Sequence, residues 1–338
     1  MRVLAADIGG TKTLFQIIEW AARREDRHVL VEHRYHSNDY LSFDTLLQEF
    51  LSEVGSKITK DLVSACFAVA GPVVNGVAKA TNLPWQLDPE ALKIKFKIPQ
   101  VILINDFQAQ GYGIECLCPD DFAVLQQGDP ELKAPQTLIG AGTGLGQALL
   151  VWHELLGHYQ VLATEGGHVD FAPSGPLQIK LLEYLSQSLT RVSYERLLSG
   201  SGLVNIYRFL KEQNPTAENP TLKDAMREGD PAAAISRFAM EYEDFLAHKS
   251  LELFAQIYGA QAGNLALTCI SQGGVFVGGG IAPKILKYLQ AGGFMKAFLN
   301  KGRLSVLLEH IPVKVILEPK VGLWGASLVA ARYTDGKM

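Results

Sequence analysis

Short apolar runs broken by glycine turns alternate along this chain with longer stretches of helical spacing. Residues 3–6 are apolar and stop at Asp7-Ile8-Gly9-Gly10-Thr11-Lys12; residues 13–18 then resume with β-branched and aromatic side chains, which predicts a β-hairpin. A charged turn over 23–27 leads to a third expected strand at 28–35. Phe43, Leu46, Leu47, Phe50, Leu51 and Val54 recur at helical spacing, so one face of that helix is expected to be buried. Residues 66–70 read as a buried strand ending at Gly71-Pro72, and Asp88-Pro89 as an N-cap followed by proline in the first helical position. The continuous apolar run 101–104 is expected to form a central strand covered on both faces, with Asn105 and Asp106 at its C-terminal end.

The same order then restarts. Residues 138–151 again predict strand, glycine turn (Gly142, Thr143, Gly144, Leu145, Gly146) and strand, and 159–163 a third strand. From Pro176 to about Gly263 the pattern is mostly helical, with Asp230-Pro231 expected to open one long helix. Residues 275–277 predict a strand ending in Gly278, Gly279 and Gly280, with Pro283 starting the helix after it. A last strand is expected at 313–317 and a helix rich in small residues at 322–332. Three strands, helix, strand, helix, strand, read twice, predict two α/β halves with a cleft between them.

Length and composition agree with that division. A chain of 338 residues exceeds what one hydrophobic core usually serves, and 48% apolar with 20% charged residues is the profile of a folded globular protein. A formal net charge of −4 supplies no field to hold a nucleic acid, so no nucleic-acid partner is expected. A single phosphate can still bind through backbone N–H groups. The four cysteines include one C-x-C pair, Cys116 and Cys118, without a second pair, so thiols in a reducing cytoplasm are expected rather than a zinc site. The first apolar stretch is too short for a signal peptide, and no run of ~20 uncharged apolar residues predicts a membrane span. A cytoplasmic protein is the expectation.

The glycine turns carry the candidate chemistry. Neither fits the P-loop, because Thr11 stands before Lys12-Thr13, and neither leads from a strand into a helix as a dinucleotide fingerprint must. Each leads into a second strand, leaving a tight hairpin whose consecutive N–H groups can cradle phosphate oxygens. Either turn alone reads equally as an ordinary hairpin; one ligand gripped by two such turns and the cluster Gly278, Gly279, Gly280 accounts for all three. Asp7 cannot face a phosphate without a cation between them, which makes it a candidate to hold Mg²⁺ through water. Asp106 ends a strand, where α/β sheets place their chemistry, and reads alternatively as an N-cap for the helix after it. Glu165-Gly166-Gly167-His168-Val169-Asp170 has poor spacing for zinc but suits hydrogen bonding to a polyhydroxy ligand. Glu195, in the first turn of a short helix, reads by composition as a helix-dipole partner ahead of a ligand contact. Together these residues specify phosphoryl transfer, which needs N–H groups and Mg²⁺ for charge and a base for the acceptor's proton.

Several blocks are similar to one family. Asp7-Ile8-Gly9-Gly10-Thr11, Ala70-Gly71-Pro72-Val73, Thr81-Asn82-Leu83-Pro84-Trp85 and Ile104-Asn105-Asp106-Phe107 resemble the bacterial-type glucokinases. So do the second glycine turn, the run from Glu165 to Pro173, the run from Arg191 to Gly200 and the block Gly274 to Gly280. The blocks follow the family's order over nearly the whole chain. The run from Glu165 to Pro173 is highly specific, whereas Asp-x-Gly-Gly-Thr is shared with many sugar kinases and actin-like ATPases.

The resemblance implies a two-domain α/β hexokinase/actin-like (ribonuclease-H-like) fold with an interdomain cleft. A small domain is expected over 1–114 plus 319–338, and a large domain with a helical insertion over 115–318. It implies transfer of the γ-phosphate of ATP to the 6-hydroxyl of glucose, a kinase for another hexose or N-acetyl-hexosamine and a catalytically silent sugar sensor being the alternatives. By position Asp106 matches the catalytic base, and Asn105, Asp106, Glu165, His168 and Glu195 the glucose contacts. Ala6, Asp7, Ile8, Gly9, Gly10, Thr11, Gly142, Thr143 and Gly144 match the phosphate-binding elements, with Gly278, Gly279 and Gly280 by the adenosine. A homodimer is also implied. Lys12 stands where many members carry Asn, Thr164 where many carry Gly, and the helical stretch 232–258 is longer than in familiar members. The cysteine cluster of the related repressor–kinase sugar family is missing between His168 and Cys269, so its structural zinc is not expected, and no helix-turn-helix precedes residue 7, so a DNA-binding repressor is not expected either.

Overall fold

A computed structural model describes residues 1–21, 23 and 26–334; Arg24 and Glu25, in the expected charged turn, lie outside the described residues. The chain forms two compact units: Met1–Pro119 with Trp152–Ala163 and Glu318–Met338, and Asp120–Val151 with Thr164–Leu317.

In the first unit the Gly9–Gly10 turn joins β1 (Arg2–Ile8) to β2 (Lys12–Glu19) as an antiparallel hairpin, extended by β3 (His28–His36). After β4 (Leu62–Val69), three short strands, β5 (Val73–Val74), β6 (Val77–Lys79) and β7 (Gln86–Leu87), make a separate small sheet. β8 (Val101–Asn105) completes the main sheet, whose order is β3-β2-β1-β4-β8 with β4 parallel to both β1 and β8. The helix Phe43–Val54 is capped by Ser42, whose hydroxyl accepts from the Thr45 N–H. Its buried face joins a core in which the rings of Phe15 and Phe50 stack with centroids 4.7 Å apart.

The helix Val321–Thr334 packs on β1 and β4 and crosses the helix Asp106–Gly113. Glycines set how closely the two helices approach. A Cβ on Gly113 would lie 1.9 Å from the Val321 carbonyl oxygen, and one on Gly325 would lie 1.8 Å from that of Ala109.

One expectation fails here. The 101–104 run forms an edge strand, paired only with β4, and Val101 and Ile102 are half-buried. Its apolar character reports covered faces, since the helices Pro89–Phe96 and Val321–Thr334 both pack against it. Coverage of faces does not fix lateral position in a sheet.

The second unit repeats the plan. Its strands are β9 (Phe122–Gln126), β10 (Gln136–Ala141), β11 (Leu145–His153), β12 (His158–Thr164), β13 (Gly274–Gly278) and β14 (Val313–Ile316), in the order β12-β11-β10-β13-β14-β9. The first five reproduce the order of the other sheet: a β-meander of three, then two parallel strands, with β9 added antiparallel. The outer part of β11–β12, Trp152–Ala163, belongs to the first unit. A large core gathers Phe209, Phe254, Tyr258, Phe294 and Phe298, all fully buried.

Two helix expectations also change. Asp230 does cap a helix, accepting from Ala232 and Ala233 N–H at 2.9 and 3.2 Å, but that helix ends at Glu241. Glu243 takes a left-handed φ of 51°, and Asp244 caps a separate 25-residue helix, Phe245–Cys269. Pro283 starts no helix. It lies in turns pinned by the Ile281 N–H to the Ala141 carbonyl at 3.1 Å, and the next helix is Leu286–Gln290. Among the described residues no helix is long and apolar enough to cross a membrane.

Candidate active site

In the first unit the hairpin register places Asp7 one residue before the end of β1, between Leu14 of β2 and Ala68 of β4. The turn beyond it is held from behind. Gly9 N–H donates to the Lys12 carbonyl at 3.0 Å, the Ser37 hydroxyl donates to the Gly9 carbonyl at 2.8 Å, and Ser37 N–H donates to the Thr11 carbonyl at 3.0 Å. Among the described residues the N–H groups of Gly10 and Thr11 meet no protein acceptor, which leaves consecutive donors for an oxyanion. Gly10 must lack a side chain, because its Cβ would lie 2.9 Å from that of Asn82. Ala6 and Ile8 are closed to solvent within the sheet, and the Ile8 carbonyl accepts the Ala70 N–H at 3.0 Å.

Asn105 and Asp106 lie at the carboxyl end of β8, where the helix Asp106–Gly113 begins. The cap is Asn105, whose Oδ1 accepts from Phe107 and Gln108 N–H at 2.9 and 3.2 Å while its Nδ2 donates to the Gly71 carbonyl at 3.2 Å. Asp106 is therefore the first helical residue. Its Oδ1 takes the Phe107 N–H at 2.9 Å. Asp7 and Asp106 repel each other. Burial first, and the Asp106 carboxylate second, push the Asp7 carboxyl up to about 6, with Lys12 opposing them. Gly322 closes this corner: a Cβ there would lie 3.7 Å from Asp7 Oδ2 and 3.9 Å from the Asp106 carbonyl oxygen.

The second unit holds the other predicted residues. Gly142 N–H donates to the Gly144 carbonyl at 2.8 Å, and Gly200 N–H to the Gly142 carbonyl at 2.9 Å, again leaving two consecutive N–H groups, of Thr143 and Gly144, without a protein acceptor among the described residues. Glu195 Oε2 accepts the Leu145 N–H at 2.9 Å. A Cβ on Gly144 would lie 2.6 Å from that oxygen, so glycine is required there. The composition-based reading of Glu195 as a helix-dipole partner thus gives way to a long-range tie onto the glycine turn; its own helix is a single 3₁₀ turn, Tyr194–Arg196.

His168 stands between two carboxylates, its Nε2 3.8 Å from Glu165 Oε2 and its Nδ1 3.9 Å from Glu195 Oε1. Those spacings exceed a hydrogen bond, so the three side chains converge without satisfying one another. The loop below is set by Thr164, whose hydroxyl donates to the Gln147 carbonyl at 3.0 Å and accepts the Gly166 N–H at 3.1 Å. Gly278, Gly279 and Gly280 lie against the second turn. Gly279 has a φ of 77°, its Cβ would lie 2.4 Å from the Ala141 carbonyl oxygen, and Gly280 faces open space. The buried Tyr258 hydroxyl accepts from Ala141 N–H at 3.0 Å and lies 3.4 Å from the Gly278 carbonyl, tying strand ends β10 and β13 together.

Sequence reasoning passed over two residues here. Asn82 walls the first turn. Gln147, 3% exposed, lies under the Gly166 backbone, and its Nε2 has no hydrogen-bond partner among the described residues. A polar residue on an otherwise apolar strand was the available signal for Gln147.

A family model described as glucokinase matches residues 4–333. A glucokinase of Nostoc punctiforme is 45% identical, the match covering 98% of this chain and 99% of that protein. The crystal structure of glucokinase from an Antarctic psychrotroph superposes with a TM-score of 0.85 at 32% identity, covering 98% and 99% of the two chains. That of Balamuthia mandrillaris glucokinase in complex with glucose gives 0.77 at 25%, covering 98% and 93%.

Proposed function

The chain belongs to the glucokinase family, and we propose that it transfers the γ-phosphate of ATP to the 6-hydroxyl of glucose, giving glucose 6-phosphate and ADP. The observation that carries this reading is the corner made by Asp106, Asp7 and the unpartnered Gly10 and Thr11 N–H groups. It sets a proton acceptor beside a cradle for phosphoryl oxygens, the two things phosphoryl transfer asks of a protein.

Asp106 accepts the 6-hydroxyl proton through its carboxylate. Because the phosphoryl transition state is loose, the base serves as much to aim the hydroxyl as to deprotonate it. Asn105 spends its side chain on the cap and thereby holds Asp106 at the helix start. Glu165, His168 and Glu195 hydrogen-bond sugar hydroxyls, the imidazole and carboxylates offering donor and acceptor partners in fixed directions. The N–H pairs of Gly10–Thr11 and Thr143–Gly144 take phosphate oxygens, and Gly280 leaves room for the nucleoside. The repelled carboxyl of Asp7 fits a hard divalent cation, and Mg²⁺ held there through water would neutralise charge on the transferring group.

A coupled assay tests the reading with glucose, mannose, fructose, N-acetylglucosamine and N-acetylmannosamine, each with ATP or polyphosphate. Glucose with ATP gives the highest kcat/KM. Asp106→Asn keeps the Phe107 contact but loses ~10²–10⁴ in kcat, with a smaller change in KM. Turnover of another sugar in preference to glucose overturns the substrate assignment, and a near-normal kcat in the variant overturns the base.

A further inference from the structure

A recess of about 730 Å³ opens in the second unit beside Tyr194, and none of the residues assigned above lines it. Lys296, Lys301, Asn264, Asn300, Tyr194 and Ser174 line it, and no Asp or Glu does. Lys301 is half-buried, its stem laid across the helix Phe245–Cys269 where Gly263 leaves space: a Cβ on Gly263 would lie 2.7 Å from Lys301 Cε. Its ammonium donates to the Ala260 carbonyl at 3.0 Å and to Asn264 Oδ1 at 2.7 Å. Both acceptors are neutral. Among the described residues no carboxylate comes within ion-pair distance of either lysine, and the third Nζ hydrogen of Lys301 has no acceptor. The Asn264 amide is fully used, donating to Tyr194 Oη and Gln261 Oε1, each at 3.1 Å.

A desolvated ammonium with only neutral partners is costly, and burial pulls the Lys301 pKa down accordingly. The neighbouring recess offers a contrast. There Glu252, in the lining, accepts Lys249 at 2.7 Å and meets His248 at 3.1 Å, so that carboxylate is already paired. We propose that the Lys301 recess is a binding site for a small organic anion, whose phosphate or carboxylate oxygens bridge Lys301 and Lys296 while hydroxyls of the rest of the molecule meet Ser174 and Asn300. The volume admits a metabolite several times the size of phosphate itself.

Isothermal titration of the full chain at low ionic strength tests this with three probes: inorganic phosphate, glycerol 3-phosphate and citrate. Glucose and a non-hydrolysable ATP analogue are kept saturating so that the glycine turns are occupied. One probe binds at one site per chain, a phosphate ester if the source is phosphorylated and citrate if it is a carboxylate. Lys301→Met weakens it at least about tenfold. Asn264→Asp, a change of the same size that hands the ammonium an internal carboxylate, weakens it comparably while the far-ultraviolet dichroism stays native. Absence of binding by all three probes, or equal affinity in wild type and Asn264→Asp, overturns the proposal. The variant comparison reads Lys301 whether or not the glycine turns hold a nucleotide.

Discussion

Asp7 shows what burial beside a second carboxylate does to a single residue. Its carboxyl is raised from 3.8 to about 6, burial and Asp106 outweighing Lys12, so the native state favours the protonated form more than the unfolded chain does. The sign follows. Below pH 3.8 Asp7 is protonated in both states and costs nothing; the cost grows as pH rises and is complete above about 6. At 1.36 kcal/mol per pKa unit this is about 3 kcal/mol. In metal-free protein Asp7→Asn is therefore expected to raise unfolding stability by up to about 3 kcal/mol at pH 7.5, and to leave it unchanged near pH 3.5, as read by urea titration at both values. Added Mg²⁺ stabilises the wild type more than the variant. A variant less stable than wild type at pH 7.5 would mean that the carboxylate is a structural acceptor, and its assignment as the cation holder fails.

At the scale of elements, two helix glycines decide how the first unit closes. Ordinarily Gly→Ala inside a helix gains about 1 kcal/mol from propensity. At Gly325 the new methyl would sit 1.8 Å from the Ala109 carbonyl oxygen and 2.6 Å from Gly113 N, backbone atoms that cannot swing aside. Overpacking at the upper end of its usual range then outweighs propensity, and Gly325→Ala is expected to lose about 2 kcal/mol net. Gly229→Ala, whose nearest atom is the Ala225 carbonyl oxygen at 3.6 Å, changes stability by less than about 0.5 kcal/mol. Denaturant midpoints compare the two, and equal midpoints would refute the close crossing. This contact was invisible in the sequence, because Ala109 and Gly325 are distant in the chain. What could be read was local: the hairpins around Gly9–Gly10 and Gly142–Gly144, the caps at Asp88 and Asp230, and the buried face of the helix Phe43–Val54. What could not was whatever depends on a distant neighbour. The edge position of β8 and the bond from Leu145 N–H to Glu195 are both of that kind. For the site, the glycine turns and Asp7 announced themselves by chemistry and spacing. Asn82 and Gln147 did not, since their importance lies in the backbone they press against.

For the whole molecule, the duplicated sheet order has a thermodynamic consequence. Each unit has its own hydrophobic core. The proposed sugar contacts are divided, Asp106 from one unit and Glu165, His168 and Glu195 from the other. A ligand held by both sets would stabilise only the state in which both units are folded. Glucose at about 100 times its Kd then adds about 2.7 kcal/mol, or roughly 5–10 °C in Tm for units of this size. The division gives the test its edge. Glu195→Gln keeps an oxygen for the Leu145 N–H but weakens the charged contact to a sugar hydroxyl, worth about 1.5–3 kcal/mol, so it removes at least half of the glucose-induced shift. Asp106→Asn, on the other unit, lowers the same shift. Scanning calorimetry of wild type and both variants, with and without glucose, decides between one shared ligand and two separate roles. A shift that vanishes in one variant and stays whole in the other would assign the sugar to a single unit.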